Sequence, residues 1–245
     1  MSTIIYAGGF EGFWTVVYDF YKKNLQPETI CRFGKESPEG LFEARYFVEP
    51  NPLNAKQAAS AFVQKAGSEA FDTLQNAWRA DTLAIDRVLL DYVRTLFKDP
   101  KQYENWTESA IKKTRDAAKA TLHEVHRWHG FTRFSKLKTG EYYATIAPKC
   151  EIMQPLATHF CRRMPNEWWI LHDTLRGSAW VHAAKQSRMY SVEKADQPEL
   201  HDEESTADAL WQIFFKSHTI PDRASKKRQL KWVAKRFHPF MNEMR

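Results

Sequence analysis

The run His123-Glu-Val-His-Arg-Trp-His-Gly-Phe-Thr-Arg-Phe-Ser-Lys-Leu-Lys-Thr-Gly-Glu-Tyr-Tyr-Ala-Thr-Ile146 changes its hydrophobic period midway. Up to His129 it continues a helix that begins near Thr107, and Gly130 is placed to cap that helix. From Phe131 to Leu137 the residues alternate, Thr139-Gly140 makes a turn, and Tyr142 to Ile146 follows as a second strand. A helix that passes into a hairpin within so few residues points to an α+β fold.

Toward the N-terminus the pattern is largely helical. Ile4 to Tyr6 reads as a short strand broken by Gly8-Gly9, and Glu11 to Lys23 as a helix. Phe42 to Val48 reads as a strand ended by Pro50 and Pro52. Asn54 to Asp99 reads as helical throughout, with Asn54 and Ser68 as N-caps and Asp99-Pro100 as the stop. Toward the C-terminus, Met153 to Arg163 is a helix, and Trp168 to His172 is an apolar strand expected to be buried on both faces. Ala179 to Ala183 is a further strand. Thr206 to Ser217 and Asp222 to Arg236 are the last two helices. The expected organisation is one globular unit over 1–245. Residues 1–106 form a mainly helical lobe. Residues 107–245 form a lobe with a small, mostly antiparallel sheet flanked by helices and ending in a basic helix.

With 245 residues the chain is long enough to bury a sizeable core. An aromatic share of 14% is high, and most of these rings are expected inside. Cys31, Cys150 and Cys161 show no CxxC spacing, which speaks against a zinc site or a disulfide framework and fits a reducing compartment. No signal-peptide pattern or membrane span is evident, so a cytoplasmic location is expected. Charge is unevenly spread. Between Pro221 and Arg245 eight basic residues oppose only Asp222 and Glu243, so this segment alone carries the net +6. The stretch from Asp196 to Asp208 just before it is acidic. Such asymmetry fits binding of a nucleic-acid backbone, and equally a solvated helix face or packing on the acidic stretch.

Three groups of residues are candidates for a site. Glu124, His126, His172 and Asp173 are the acid–base candidates, since carboxylates and imidazoles at the end of a buried strand suit proton transfer. The plainer reading is that Asp173 caps a turn and pairs with Arg176, and that Glu124 pairs with Arg127 at i, i+3. Arg127, Arg133, Phe134 and Arg176 are candidates for phosphate and base contacts, because a guanidinium donates two hydrogen bonds at once and a ring stacks on bases. Arg223, Lys226, Lys227, Arg228 and Lys231 would hold phosphates without reading sequence. His123, His126 and His129 recur every three residues, not at the His-Glu-x-x-His spacing of zincins, so no metal is assigned. No cofactor is indicated: the chain lacks a Walker or dinucleotide glycine loop, a Gly-x-Ser-x-Gly elbow and a cysteine pattern for an iron–sulfur cluster.

Five blocks carry a resemblance. They are Tyr6-Ala-Gly-Gly-Phe-Glu-Gly-Phe13, Glu124-Val-His-Arg-Trp-His-Gly-Phe-Thr-Arg-Phe134, Tyr143-Ala-Thr-Ile-Ala-Pro148, the run from His159-Phe-Cys-Arg-Arg-Met-Pro-Asn to Arg176, and Leu210-Trp-Gln-Ile-Phe-Phe-Lys-Ser-His-Thr-Ile-Pro-Asp-Arg223. In these the chain resembles the bacterial family known as "probable DNA metabolism protein". The resemblance implies a gene beside a radical-SAM protein of DNA modification or repair, and relatives fused to a uracil-DNA-glycosylase-like domain. It carries no established catalytic residues. The expected function is a nucleic-acid-binding accessory protein in DNA repair or modification. DNA or RNA would be its ligand. A radical-SAM protein, and a uracil-DNA-glycosylase-like protein, would be its partners. Two alternatives stand beside it: a nucleotide- or nucleic-acid-processing enzyme using Glu124, His126, His172 and Asp173, and a protein–protein adaptor without nucleic-acid contact.

Overall fold

A computed structural model describes residues 2–35, 44–82, 84–183, 186–192 and 233–241. The chain divides into two compact units, Met1–His123 and Glu124–Arg245. The α+β class expected from the sequence is the class observed, with helices flanking a parallel sheet of three strands and a mixed sheet of five.

Unit 1 holds β1 (Ser2–Tyr6), α1 (Gly9–Lys22), β2 (Thr29–Arg32), β3 (Ala44–Val48), α2 (Pro52–Ala66), α3 (Ser68–Trp78), α4 (Ile85–Lys98), a 3₁₀ turn (Pro100–Glu104) and the start of α5 (Ser109–Phe131). Its sheet is parallel, in the order β2-β1-β3. The sequence did not reveal this pairing, because the partners of β1 are short strands far along the chain. Ile4, Ile5 and Tyr6 are all buried, as a central parallel strand covered on both faces requires. The turn into α1 needs glycine: a Cβ on Gly12 would lie 1.7 Å from the Ala7 carbonyl oxygen. Phe13, Trp14, Phe62, Leu74, Leu89 and Tyr92 form the heart of this core.

At the end of β1 the Tyr6 hydroxyl donates to Asp86 at 2.9 Å and accepts from Trp78 Nε1 at 2.9 Å. Arg32 spans Asp81 at 2.7 Å, Asp86 at 3.1 Å and the Trp78 carbonyl at 2.7 Å. Burial raises the Asp86 carboxyl above the usual range despite Arg32. Tyr6 of the Tyr6-Ala-Gly-Gly block is therefore a buried polar anchor of unit 1.

The helical stretch expected over 54–99 is broken into three helices. Asn51, not Asn54, caps the first, its side chain accepting from Leu53 and Asn54 N–H at 3.1 Å. Pro52 then fits the first helical position, where no N–H is needed. Gly67, not Ser68, is the cap residue of α3. A turn before α4 puts Asp81 and Ala84 at positive φ.

Unit 2 holds the end of α5, β4 (Ser135–Lys136), β5 (Tyr142–Ile146), α6 (Met153–Arg163), β6 (Trp169–Asp173), β7 (Ser178–Ala183), β8 (Gln186–Ser191) and a 3₁₀ turn (Lys235–Phe240). The sheet order is β4-β5-β6-β7-β8, and only the β5–β6 pair is parallel, with α6 as its crossover. Several expectations are corrected here. Gly130 does not cap α5. The helix continues to Phe131, and Thr132 closes it, its hydroxyl donating to the Trp128 carbonyl at 2.6 Å. Phe131 to Phe134 are not strand, and the hairpin's first arm shrinks to β4. β6 is not buried on both faces, since Trp169, Leu171 and Asp173 are buried while Ile170 and His172 are half-buried. β8 was not foreseen, being mostly polar and exposed throughout. The helix expected at Thr206 to Ser217 lies outside the described residues, as does most of that expected at Asp222 to Arg236. From Val233 onward the described chain turns into the 3₁₀ segment.

Candidate functional site

The inner face of α5 is a clamp. Glu124 is 6% exposed. Its Oε1 accepts from Trp128 Nε1 at 3.2 Å, from the Lys149 backbone N–H at 3.0 Å and from Arg236 Nη1 at 2.6 Å. Arg236 Nη2 donates to Oε2, so the ion pair is bidentate. Burial alone would raise this carboxyl. The Arg236 hydrogen bonds and charge, the Lys149 N–H and the Trp128 N–H outweigh it and hold the group below the usual carboxylate range. Trp128 is fully buried and meets Phe237 and Phe240 edge-on at 5.1 and 5.0 Å. Glu124 is thus a fixed anion that joins α5, the Lys149 turn and the 3₁₀ segment.

Asp173 reaches the same turn through Arg176. Its Oδ1 accepts from Leu175 and Arg176 N–H at 3.0 and 3.3 Å, and its Oδ2 pairs with Arg176 at 3.1 Å. Arg176 in turn donates to the Pro148 and Lys149 carbonyls, each at 2.9 Å. His172 follows the strand's alternation onto the opposite face, where its Nδ1 lies 2.7 Å from the Tyr143 hydroxyl. His126 is exposed, about 200° around the helix from Glu124. The structure therefore ties Glu124 and, through Arg176, Asp173 to one turn but leaves His126 and His172 in separate surroundings.

The phosphate and base candidates also part company. Arg133 folds back on the Gly130 and Thr132 carbonyls at the end of α5. Phe134 packs inward, edge-on to Phe160 at 4.9 Å and Trp169 at 5.8 Å. Arg176 holds the Pro148–Lys149 turn. Arg127 is exposed and does not pair with Glu124, which faces the core toward Arg236. Arg223, Lys226, Lys227, Arg228 and Lys231 lie outside the described residues.

The outer face of α5 has a different character. His129 stacks on His159 of α6, centroids 4.0 Å apart and planes 23° apart. Burial, then the neighbouring His159 and His126, push the His129 imidazole below its ordinary value. On α6, Arg162 and Arg163 follow His159 at i+3 and i+4 and share its flank. His126, Arg127, Arg162 and Arg163 are exposed. The imidazole stack thus brings His126, at i−3 from His129, to the side of α5 that meets the Arg162–Arg163 flank of α6, whereas Arg127 lies about 200° around α5 from His129. Sequence reasoning missed Arg162, Arg163 and His159 as a group and counted Arg236 only as tail charge. The helical spacing of His159, Arg162 and Arg163 was the available signal.

A family model described as a domain of unknown function, DUF4130, matches residues 84–243, well over half the chain. The chain belongs to the DUF4130 family. No curated protein and no solved structure matches it. The matched region of this DUF4130 protein includes both helix flanks at the imidazole stack and the Glu124 clamp. Unit 1 adds a cleft of about 660 Å³ lined by residues such as Tyr21, Arg94, Phe97, Lys98 and Lys113, none of them a sequence candidate. Among the described residues, no helix is long and apolar enough to cross a membrane. Among the same residues, no group of three or more His, Cys, Asp and Glu side chains could hold a metal.

Proposed function

We propose that this DUF4130 protein is a nucleic-acid-binding accessory protein of DNA repair or modification. The observation that supports it best is the cationic surface of unit 2, where exposed Arg162 and Arg163 share the α6 flank of His159, whose stack on His129 brings His126 to the same side. The neighbouring guanidinium groups of Arg162 and Arg163 suit the phosphates of a backbone, and such contacts position a strand without reading its bases. The basic 221–245 segment adds sequence-independent attraction of the same kind. The resemblance to the DNA metabolism family supports a radical-SAM protein as the partner that does the chemistry, with a uracil-DNA-glycosylase-like protein as a second candidate. The thiols of Cys31, Cys150 and Cys161 support a cytoplasmic setting.

The test is binding of single- and double-stranded DNA, and of RNA, across a salt series. Two variants divide the surface: Arg162→Ala with Arg163→Ala, and Lys226→Ala with Lys227→Ala and Arg228→Ala. The expected result is salt-sensitive binding weakened by both. Binding lost only in the second variant moves the contact to the tail. Absence of binding to any nucleic acid, with retention of the radical-SAM partner in a pull-down, replaces this reading with the adaptor.

A further inference from the structure

Cys161, His182 and Ser187 stand apart from every group used above. Cys161 lies in the last turn of α6, His182 on β7, and Ser187 on β8 as the register partner of His182. Directly paired residues share a sheet face, which brings the Ser187 hydroxyl to 2.7 Å from His182 Nδ1. Cys161 Sγ is 3.3 Å from that hydroxyl and 3.5 Å from Nδ1. The other ring nitrogen, Nε2, is 3.1 Å from the Pro165 carbonyl oxygen. A carbonyl only accepts, so Nε2 carries the hydrogen, and Nδ1 of the neutral ring presents its lone pair to the hydroxyl and the thiol. Trp169 stacks on the imidazole at 5.0 Å and 21° and fixes its plane. His182 is 3% exposed, whereas Cys161 is half-buried and open to reagents. A nucleophile within reach of a base that a third group orients is the arrangement that activates a thiol.

We propose that Cys161 is a thiol-exchange site that takes an anionic low-molecular-weight disulfide. The thiol proton passes to His182 Nδ1 through the Ser187 hydroxyl. The Cys161 sulfur then attacks one sulfur of the disulfide, a new S–S bond forms as the old one breaks, and the departing thiolate takes the proton back from the imidazolium. The disulfide is the only co-reactant. Exposed Arg162 and Arg163, next along the chain, favour an anionic reagent. The adduct places negative charge within one helical turn of Arg162 and Arg163 and so weakens their hold on phosphate through the field between them. That last consequence, alone, rests on the nucleic-acid reading.

The experiment treats the full chain with limiting oxidised glutathione at neutral pH, quenches with acid and maps the adduct by peptide mass. Cys31 and Cys150 serve as internal controls. Cys161 is expected to react at least about tenfold faster than either, and Ser187→Ala and His182→Asn to slow it about tenfold. Because His182 is buried, Ser187→Ala decides if the histidine variant fails to fold. Equal rates at the three cysteines, or a Cys161 rate untouched by Ser187→Ala, overturn the proposal. DNA binding before and after the adduct, and after its removal with dithiothreitol, reads the consequence separately. A chain that never binds DNA but shows the fast Cys161 adduct sinks the nucleic-acid reading and leaves the thiol site standing.

Discussion

Glu124 shows how a side chain that looks catalytic in sequence can hold an architectural position in space. It lies among three histidines, yet in space its oxygens accept from Trp128, Lys149 and Arg236, and its carboxyl is held ionised. Its folded pKa is depressed, so its stabilising contribution is complete above the unfolded value and is lost as pH falls through the folded one. Glu124→Gln is expected to cost about 1.5–3 kcal/mol at neutral pH, the range for hydrogen bonds to a charged group. It should also flatten the loss of stability below the ordinary carboxylate range, which urea melts across an acid series would show. A variant with the wild-type acid profile would mean that Glu124 is not held ionised by Arg236. The sequence made Glu124 visible but not Arg236, because their partnership joins residues over a hundred positions apart. Asp173 was more legible: a carboxylate three residues before an arginine pairs with it locally, and the pair forms as the plainer reading expected.

Among elements, helices were easier to read than their ends or the strand partners. The period of α5 was plain, but its stop was placed at Gly130 because glycine so often ends helices. Here Thr132 supplies the closing hydrogen bond, and Gly130 has no neighbour within 4 Å of where a Cβ would stand. Gly130→Ala is therefore expected to stabilise the protein by about 0.5–1 kcal/mol. Gly12→Ala, whose Cβ would strike the Ala7 backbone, should by contrast prevent stable folding of unit 1. Thermal melts of the two variants separate these outcomes. The 3₁₀ segment at the C-terminus packs by rings, so Phe237→Ala, which empties a fully buried site between Trp128 and Phe131, should cost about 3–5 kcal/mol. Denaturant unfolding checks this, and a loss below about 1 kcal/mol would mean the segment adds little to the core. Parallel β1–β2–β3 pairing escaped the sequence because long connections separate the strands, whereas the β4–β5 turn announced itself through Thr139-Gly140.

For the molecule as a whole, α5 has two roles on two faces. The inner face ties unit 2 together through Glu124 and Trp128. The outer face joins α6 through an imidazole stack and presents cations. The phosphate and base candidates that the sequence grouped together, Arg127, Arg133, Phe134 and Arg176, separate accordingly: Arg133 and Arg176 hold backbone carbonyls, Phe134 fills the core, and Arg127 stays on the surface. Spacing along the chain could not show which arginine would be drawn to a local carbonyl. The most direct measurement is the salt dependence of DNA affinity for the wild-type chain and for Arg162→Ala with Arg163→Ala. Each phosphate contact contributes about 0.9 to the negative slope of log affinity against log salt for duplex DNA. The wild-type slope should be steep, and the double variant should lose about one to two units of it with weaker binding. A slope near zero, or one that the two substitutions leave unchanged, would contradict a phosphate-binding role for this surface.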